Sequence, residues 1–337
     1  MSNQPTVDQL GRGLRDLRIS LTDQCNMRCR YCMPAEVFGP KYPFLKNREK
    51  LTFQEIVRLA RIAESFGIEK IRLTGGEPLL RRKMPDLVKQ LSNETGVKDI
   101  ALTTNGLLLA KYATQLKKNG LTRINLSLDA LDTITFKKMS GGFGDLEIVI
   151  RAIDLCQKLD IPLKLNAVIR NGVNDNQLIP LLEYGIRKRL EVRFIEYMDV
   201  GGSNQWQQTD VYSEKNILDT VSRYFGWVSP LPDAPNAVAR SYRIAEKDYT
   251  FGIIASISRP FCGGCVRARI SSDGKLYTCL FANTGFDLRE LLRGGAEDIE
   301  IREQLRNVWG LREDRYSELR STLGKKTKSV EMPYIGG

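Results

Sequence analysis

The chain has 337 residues, 42% hydrophobic and 27% charged, with 51 Lys and Arg against 40 Asp and Glu for a net charge of +11. At roughly 150 residues per domain this predicts about two globular domains, and no stretch approaches the roughly 20 apolar residues of a membrane span. Histidine is absent, which removes Ser-His-Asp triads, His-ligated zinc and haem on an axial His. Cys, carboxylates, Lys, Arg, Tyr or a cofactor must carry any chemistry. The start, Met1-Ser2-Asn3-Gln4-Pro5-Thr6, lacks a basic segment followed by an apolar run, so no export signal and a cytoplasmic location are expected. The positive charge suits a polyanion. Dense basic runs occur only at Arg81-Arg82-Lys83 and Lys325-Lys326-Thr327-Lys328, without interleaved aromatics, which argues against nucleic acid and for a small phosphorylated ligand.

In chain order the predicted strands are 17–22, 71–74, 100–105, 124–129, 163–169 and 192–198, with helical patterns at 52–66, 85–92, 111–119, 146–159 and 176–189. Thr52 with Glu55 makes a capping-box signature, and Gly67 follows as a stop signal. Six βα units predict a parallel sheet curling into an incomplete (β/α)6 TIM-like barrel. Side chains alternate along a strand, so Leu17, Ile19 and Leu21 share one face while Arg18, Ser20 and Thr22 share the other. The same parity gathers Arg72 and Thr74, Thr103 and Asn105, Asn125, Ser127 and Asp129, and Lys164 and Asn166 on the polar face. Helices should cover the apolar face and leave the polar one to the lumen. Buried polar groups need partners. A lumen lined by Arg18, Arg72, Thr103, Asn125, Ser127 and Lys164 therefore implies a polar, anionic ligand inside.

After Gly201-Gly202-Ser203 the pattern changes. A helix at 214–225 precedes a Pro-rich stretch (Pro230, Pro232, Pro235), and strand-like segments follow at 249–257 and 266–281, the latter turning at Ser272-Asp273-Gly274. Helical patterns resume at about 288 and at 297–309. Residues 1–210 are expected to form the barrel and 211–337 a smaller C-terminal α+β extension.

Six of the seven cysteines fall into two triplets, C-x3-C-x2-C (Cys25, Cys29, Cys32) and C-x2-C-x13-C (Cys262, Cys265, Cys279). Cys156 continues the apolar face of Leu146, Val149, Ile150 and Ile153 and reads as a core residue. Structural zinc takes four Cys or His ligands, whereas each triplet offers three thiolates and no His exists to complete the set. Three thiolates suit a four-iron cluster with one iron open to a ligand, so two site-differentiated iron–sulfur clusters are the better account. The first triplet follows the first strand, at the barrel mouth where βα loops build active sites. The next strand ends in Thr74-Gly75-Gly76-Glu77-Pro78, where glycines let backbone approach a ligand and Glu77 at the rim can pair with an ammonium.

The C-x3-C-x-aromatic-C motif and the Gly-Gly-Glu-Pro turn resemble the radical S-adenosylmethionine superfamily. Gly11-Arg12-Gly13-Leu14-Arg15-Asp16-Leu17-Arg18-Ile19-Ser20, Cys262-Gly263-Gly264-Cys265-Val266-Arg267-Ala268-Arg269, Ser271-Ser272-Asp273-Gly274-Lys275 and the terminal Pro333-Tyr334-Ile335-Gly336-Gly337 are similar to the GTP 3′,8-cyclases of molybdenum cofactor biosynthesis. The resemblance implies two 4Fe-4S clusters, on Cys25, Cys29 and Cys32 and on Cys262, Cys265 and Cys279. It implies that Tyr31, Gly76, Ser127 and Met198 contact S-adenosylmethionine. Arg18, Arg72, Thr103, Lys164, Arg267 and Arg269 would contact GTP, with Arg267, Arg269, Gly336 and Gly337 taking part in catalysis and the Gly-Gly tail lying in the active site. The implied reaction begins when reductive cleavage of S-adenosylmethionine gives a 5′-deoxyadenosyl radical that takes the C3′ hydrogen of GTP. C3′ then adds to C8, and the product is 3′,8-cyclo-7,8-dihydro-GTP. An external electron donor and a functional link to cyclic pyranopterin monophosphate synthase are implied too, and a homodimer is compatible with the family.

Overall fold

Alternating leucine- and isoleucine-rich runs and amphipathic helices fold, in a computed structural model that describes residues 6–323 and 330–336, into six consecutive βα units. The strands are β1 (Asp16–Ser20), β2 (Lys70–Thr74), β3 (Asp99–Thr104), β4 (Arg123–Ser127), β5 (Leu163–Ile169) and β6 (Glu191–Glu196). All five successive pairings are parallel. The helices that return the chain are α1 (Phe53–Glu64), α2 (Met84–Glu94), α3 (Leu109–Lys118), α4 (Thr133–Met139), α5 (Leu146–Lys158) and α6 (Leu178–Lys188). Helix α4, which lies in the same connection as α5, is seven residues long and too short to show a periodicity.

Helix α1 illustrates how local sequence sets these elements. Thr52 Oγ1 accepts from the Glu55 backbone at 3.1 Å while Glu55 Oε2 accepts from the Thr52 backbone at 2.7 Å, a reciprocal cap for two otherwise orphaned N–H groups. Gly67, at φ +84°, ends the segment in a conformation that favours glycine. Ile56, Val57, Leu59, Ala60, Ile62 and Ala63 form the buried stripe, which packs on the outer face of the sheet. There Leu17, Ile19, Ile71, Leu73, Ile100, Leu102, Ile124, Leu126 and Leu165 are all at most 1% exposed. Burying each such side chain contributes about 1.5–3 kcal/mol, so the apolar face is committed to the helices and the polar face to the lumen. Cys156 is fully buried within this core.

Beyond residue 210 the chain runs through α7 (Glu214–Phe225), β7 (Val228–Pro230), β8 (Arg240–Ile244), β9 (Tyr249–Ile254), β10 (Arg267–Ile270), β11 (Lys275–Tyr277) and β12 (Phe286–Asp287). Helices α8 (Leu288–Arg293), α9 (Asp298–Gly310), α10 (Tyr316–Leu323) and α11 (Met332–Ile335) follow. Its strands extend the barrel sheet on both edges. β9 joins β6 in parallel and β10 joins β1 in parallel, while the hairpins β7–β8 and β11–β12 add antiparallel margins. The strand order is β12-β11-β10-β1-β2-β3-β4-β5-β6-β9-β8-β7, so the sheet curls without closing between β12 and β7. Among the described residues no helix is long and apolar enough to cross a membrane.

Candidate active site

One cavity of about 840 Å³ occupies the lumen. All six lumen residues read from strand parity line it: Arg18, Arg72, Thr103, Asn125, Ser127 and Lys164. So do Tyr31, Gly76, Met198, Arg267, Arg269 and all six cysteines of the two triplets. The triplets lie at opposite ends. Cys25, Cys29 and Cys32 follow the C-terminal end of β1. Because β10 runs parallel to β1, the turn bearing Cys262 and Cys265, which leads into β10, lies at the N-terminal end. Cys279 follows the antiparallel β11 back to that same end.

Between the triplets runs a row of arginines. Register aligns Arg269 of β10 with Arg18 of β1, and Arg18 with Arg72 of β2, so three guanidinium stems stand on adjacent strands about 4.8 Å apart. Each has a buried Nε with no hydrogen-bond partner. Burial, then the neighbouring guanidiniums, pulls Arg18 and Arg72 down to about 9 and Arg269 down to about 10. Buried N–H groups without acceptors and mutually repelling cations are each costly, and an anion with several oxygens answers both at once.

One layer deeper the charges are already matched. Asp99 is held by Arg123 in a two-pronged pair at 2.9 and 3.1 Å and approached by Lys70 at 3.7 Å. Asp16 meets Arg72 at 3.8 Å, and Glu191 takes both Lys164 at 2.6 Å and Arg193 at 2.5 Å. Asp16, Lys70, Asp99, Arg123 and Arg193 were not expected as site residues. The first four are the opening residues of strands whose starts the hydrophobic pattern placed one residue late.

At the mouth the glycines serve the chain itself. A Cβ on Gly76 would come within 2.2 Å of Gln24 O, and one on Gly75 within 2.4 Å of Thr22 O. The backbone thereby lies directly on the cysteine loop, with Gly76 N donating to Thr22 O at 2.7 Å. Glu77, in the same mouth loop, lines the cavity as expected. It is 1% exposed and accepts from Leu79 N, Thr104 Oγ1 and Asn105 N at 2.9–3.0 Å, which ties the β2 loop to the β3 loop. Asn105 in turn donates to Asn26 Oδ1 at 2.8 Å and to Cys25 Sγ at 3.7 Å. The Tyr31 hydroxyl donates to Asp129 at 2.9 Å, anchoring the cysteine loop to the end of β4.

Burial pushes Glu77 up to about 7, against an ordinary 4.5. The folded chain therefore holds a proton that the unfolded chain releases. The associated stability is complete below about 4.5 and lost as pH rises through about 7, about 3 kcal/mol in all. Glu77→Gln is expected to flatten this slope in urea midpoints measured from pH 4.5 to 7.5. Asp129, raised by burial to about 6, adds a slope of the same sign that the variant retains.

The donor chemistry of the triplets fits clusters. In a four-iron cluster each thiolate takes its own iron, so three thiolates leave one iron open to a ligand. Burial pushes the Cys25 thiol up to about 11 and raises Cys29 and Cys32 as well, so three thiolates there need metal charge beside them. At the second triplet burial also raises Cys265, but Arg267 and Arg312 outweigh it and bring the thiol to about 6. Arg267 aims its guanidinium at Cys265 Sγ, at 3.2 and 3.4 Å, and stands at the border between triplet and lumen. N–H groups directed at ligating sulfur are a recognised means of tuning such clusters.

Met198 belongs to a small apolar group with Val200, Phe281, Cys279 and Met332. The tail is docked. Tyr334 donates to Asp273 at 2.5 Å, and Gly336 is buried at φ +75°, where an added Cβ would meet Thr74 Cγ2 at 2.5 Å and Ser20 Cβ at 3.4 Å. Gly337 lies outside the described residues.

Comparison with known proteins decides the family. Residues 19–185 match the Radical SAM superfamily and residues 190–318 match Molybdenum Cofactor Synthesis C. A GTP 3′,8-cyclase of Staphylococcus epidermidis is 46% identical over 335 residues, 98% of this chain and 98% of that one. The chain belongs to the GTP 3′,8-cyclase family. Another member, from Staphylococcus haemolyticus, is 44% identical over the same 98% of each chain. Among solved structures, Streptococcus suis SuiB bound to S-adenosylmethionine covers 94% of this chain and 67% of its own, with a TM-score of 0.61 at 18% identity. Methylornithine synthase covers 93% and 86%, with a TM-score of 0.51 at 15% identity. Both share the fold: the partial, barrel-like parallel sheet of radical SAM proteins. S-adenosylmethionine and a four-iron cluster are general to that superfamily.

Proposed function

We propose that this protein is a GTP 3′,8-cyclase catalysing the first step of molybdenum cofactor biosynthesis. The observation that carries the reading is the in-register row of Arg269, Arg18 and Arg72, set between two cysteine triplets in one cavity. Cys25, Cys29 and Cys32 would hold one 4Fe-4S cluster at the mouth, and Cys262, Cys265 and Cys279 a second at the opposite end, in a C-terminal part spanning 211–337. When bound, the first cluster and S-adenosylmethionine supply the 5′-deoxyadenosyl radical that takes the C3′ hydrogen of GTP so that C3′ can bond to C8.

The chain's own residues position that chemistry. The three arginines take the triphosphate, since a guanidinium presents two parallel N–H donors to phosphate oxygens; Thr103 on β3 and Lys164 on β5, the latter shared with Glu191, would contact GTP farther along the sheet. The nucleoside then spans the remaining lumen, with its base toward the second triplet and its ribose toward the first. Tyr31, Gly76, Ser127 and Met198 would contact S-adenosylmethionine at the mouth. The docked tail, with Met332 and Pro333 lining the cavity, excludes water from a site where a carbon radical must survive. An external electron donor would deliver two electrons in the cytoplasm, one to cleave S-adenosylmethionine and one that, with a proton, quenches the radical left after ring closure, and cyclic pyranopterin monophosphate synthase would take the product.

Arg269→Ala is expected to weaken GTP binding by about 1.5–3 kcal/mol, the range for a hydrogen bond to a charged group, and to weaken guanosine binding far less. Calorimetric titration of both ligands measures this. Equal losses would remove Arg269 from the triphosphate. Metal analysis of the reconstituted chain tests the second cluster, with about eight irons per chain expected and about four contradicting it.

A further inference from the structure

The segment before β1 contains a buried charge cluster that the mechanism above does not use. Asp8 and Arg312 have side chains 0% and 1% exposed, and Arg12 3%. One carboxylate serves both cations: Asp8 Oδ2 accepts from Arg12 Nε at 2.6 Å and from Arg312 Nη1 at 3.1 Å. Asp8 Oδ1 accepts from the Leu10 and Arg12 backbones, both at 2.9 Å, which fixes the carboxylate to its own turn. What the arginines do next is specific. Arg12 Nη1 donates to Cys262 O at 2.8 Å, and Arg312 Nη1 donates to Cys265 O at 2.7 Å. Arg312 also stacks on Trp309, 4.6 Å from the ring centre, and the indole N–H of Trp309 closes the circuit on Arg12 O at 2.9 Å.

We propose that Asp8, Arg12 and Arg312 are positioning residues that brace the C-x2-C turn of the second triplet through the carbonyls of Cys262 and Cys265. The proposal rests on the reading of that triplet as a cluster site. A C-x2-C turn is short and sits at the cavity edge, with Gly263 and Gly264 between its cysteines, so its own sequence gives it little stiffness. Two carbonyls tied to two guanidiniums, themselves locked to one buried carboxylate, supply that stiffness from outside. Charge-assisted bonds of this kind are about twice as strong as neutral ones. They are also interdependent: removing Asp8's charge leaves Arg12 without its carboxylate and Arg312 with Asp314 alone, 3.3 Å from its Nε, the costly way to break such a network. The brace joins an N-terminal turn, the cysteine turn and the segment after α9, three pieces far apart in sequence. It touches no residue of the first triplet.

The test uses the reconstituted full-length enzyme, held anaerobically with an iron chelator and iodoacetamide, and follows alkylation of each cysteine by mass spectrometry. In Asp8→Asn and in Arg312→Gln, Cys262, Cys265 and Cys279 are expected to be alkylated about tenfold faster than in the wild type. Cys25, Cys29 and Cys32 should keep their wild-type rates. Arg312→Lys should retain the protection, because a single nitrogen, Nη1, serves both Asp8 and Cys265 and an ammonium can replace it. Equal acceleration at both triplets, no acceleration at either, or a lysine variant no better than the glutamine one would overturn the brace. Failure of the cluster reading looks different: wild-type protein with about four irons whose second triplet is alkylated at once. In that case hydrogen–deuterium exchange of the backbone amides of residues 262–265 reads the brace without metal: faster exchange in Asp8→Asn than in the wild type supports it, and equal exchange overturns it.

Discussion

Cys29→Ala is expected to yield no 5′-deoxyadenosine above background, with about four irons lost per chain. The substitution is a clean one because the loop does not depend on the thiol for its shape. Cys29 O accepts from Cys32 N at 3.0 Å and from Met33 N at 2.7 Å, bonds that alanine keeps. Arg28 holds the same loop from the other side, donating to Phe38 O, Cys25 O and Met27 O, each at 2.8 Å. What is removed is one sulfur of three, and two thiolates do not hold a cluster with a single open iron. Iron analysis and mass spectrometry of the quenched reaction measure the outcome. A wild-type yield of 5′-deoxyadenosine would take Cys29 out of the cluster.

Gly336→Val should abolish cyclisation while leaving the iron content and the fold in place. Two separate penalties act on the tail. A β-branched residue at φ +75° sits in a region that costs about 1–3 kcal/mol even for tolerant side chains, and its Cβ would lie 2.5 Å from Thr74 Cγ2. Ser20 and Thr74 close the lumen-facing ends of β1 and β2, so neither can withdraw without disturbing the central strands. The tail yields instead, although Tyr334 with Asp273 and Glu331 with Gly202 N and Ser203 Oγ still hold its base. Product formation is expected to disappear with iron content unchanged and 5′-deoxyadenosine still forming without product. Full product yield from Gly336→Val would remove the tail from the reaction.

The barrel was legible because its signals are local. Period-two alternation in strands and capping chemistry at helix starts need only a few residues, and β5 and α7 occur where the pattern placed them, with α1 displaced only at its ends. The polar row of the lumen was legible for the same reason. The charged layer below it was not. Asp16, Lys70, Asp99 and Arg123 are strand-opening residues, and hydrophobicity starts each strand one position later, at Leu17, Ile71, Ile100 and Ile124. The joining of β10 to β1 and of β9 to β6 is also invisible locally. β10 lies about 250 residues from its partner, and nothing in Arg267-Ala268-Arg269-Ile270 says which edge it will find. Strand β8 was missed because the Pro-rich stretch before it reads as loop. The burial of Glu77 was not legible, because sequence shows a carboxylate after two glycines but not the three donors waiting behind it.

In the proposed reaction one lumen would bring a radical source and a guanosine triphosphate together, with the phosphates on Arg269, Arg18 and Arg72. Anaerobic turnover of the reconstituted chain with S-adenosylmethionine, a reductant and each nucleoside triphosphate in turn is the decisive measurement. Mass spectrometry should show 3′,8-cyclo-7,8-dihydro-GTP with an equivalent of 5′-deoxyadenosine for GTP alone. The cyclised product should vanish in Arg18→Ala with Arg269→Ala, while the iron content of that double variant stays at the wild-type level. Cyclised product undiminished by the loss of both arginines, or none from GTP with fully loaded wild-type protein, would contradict the account.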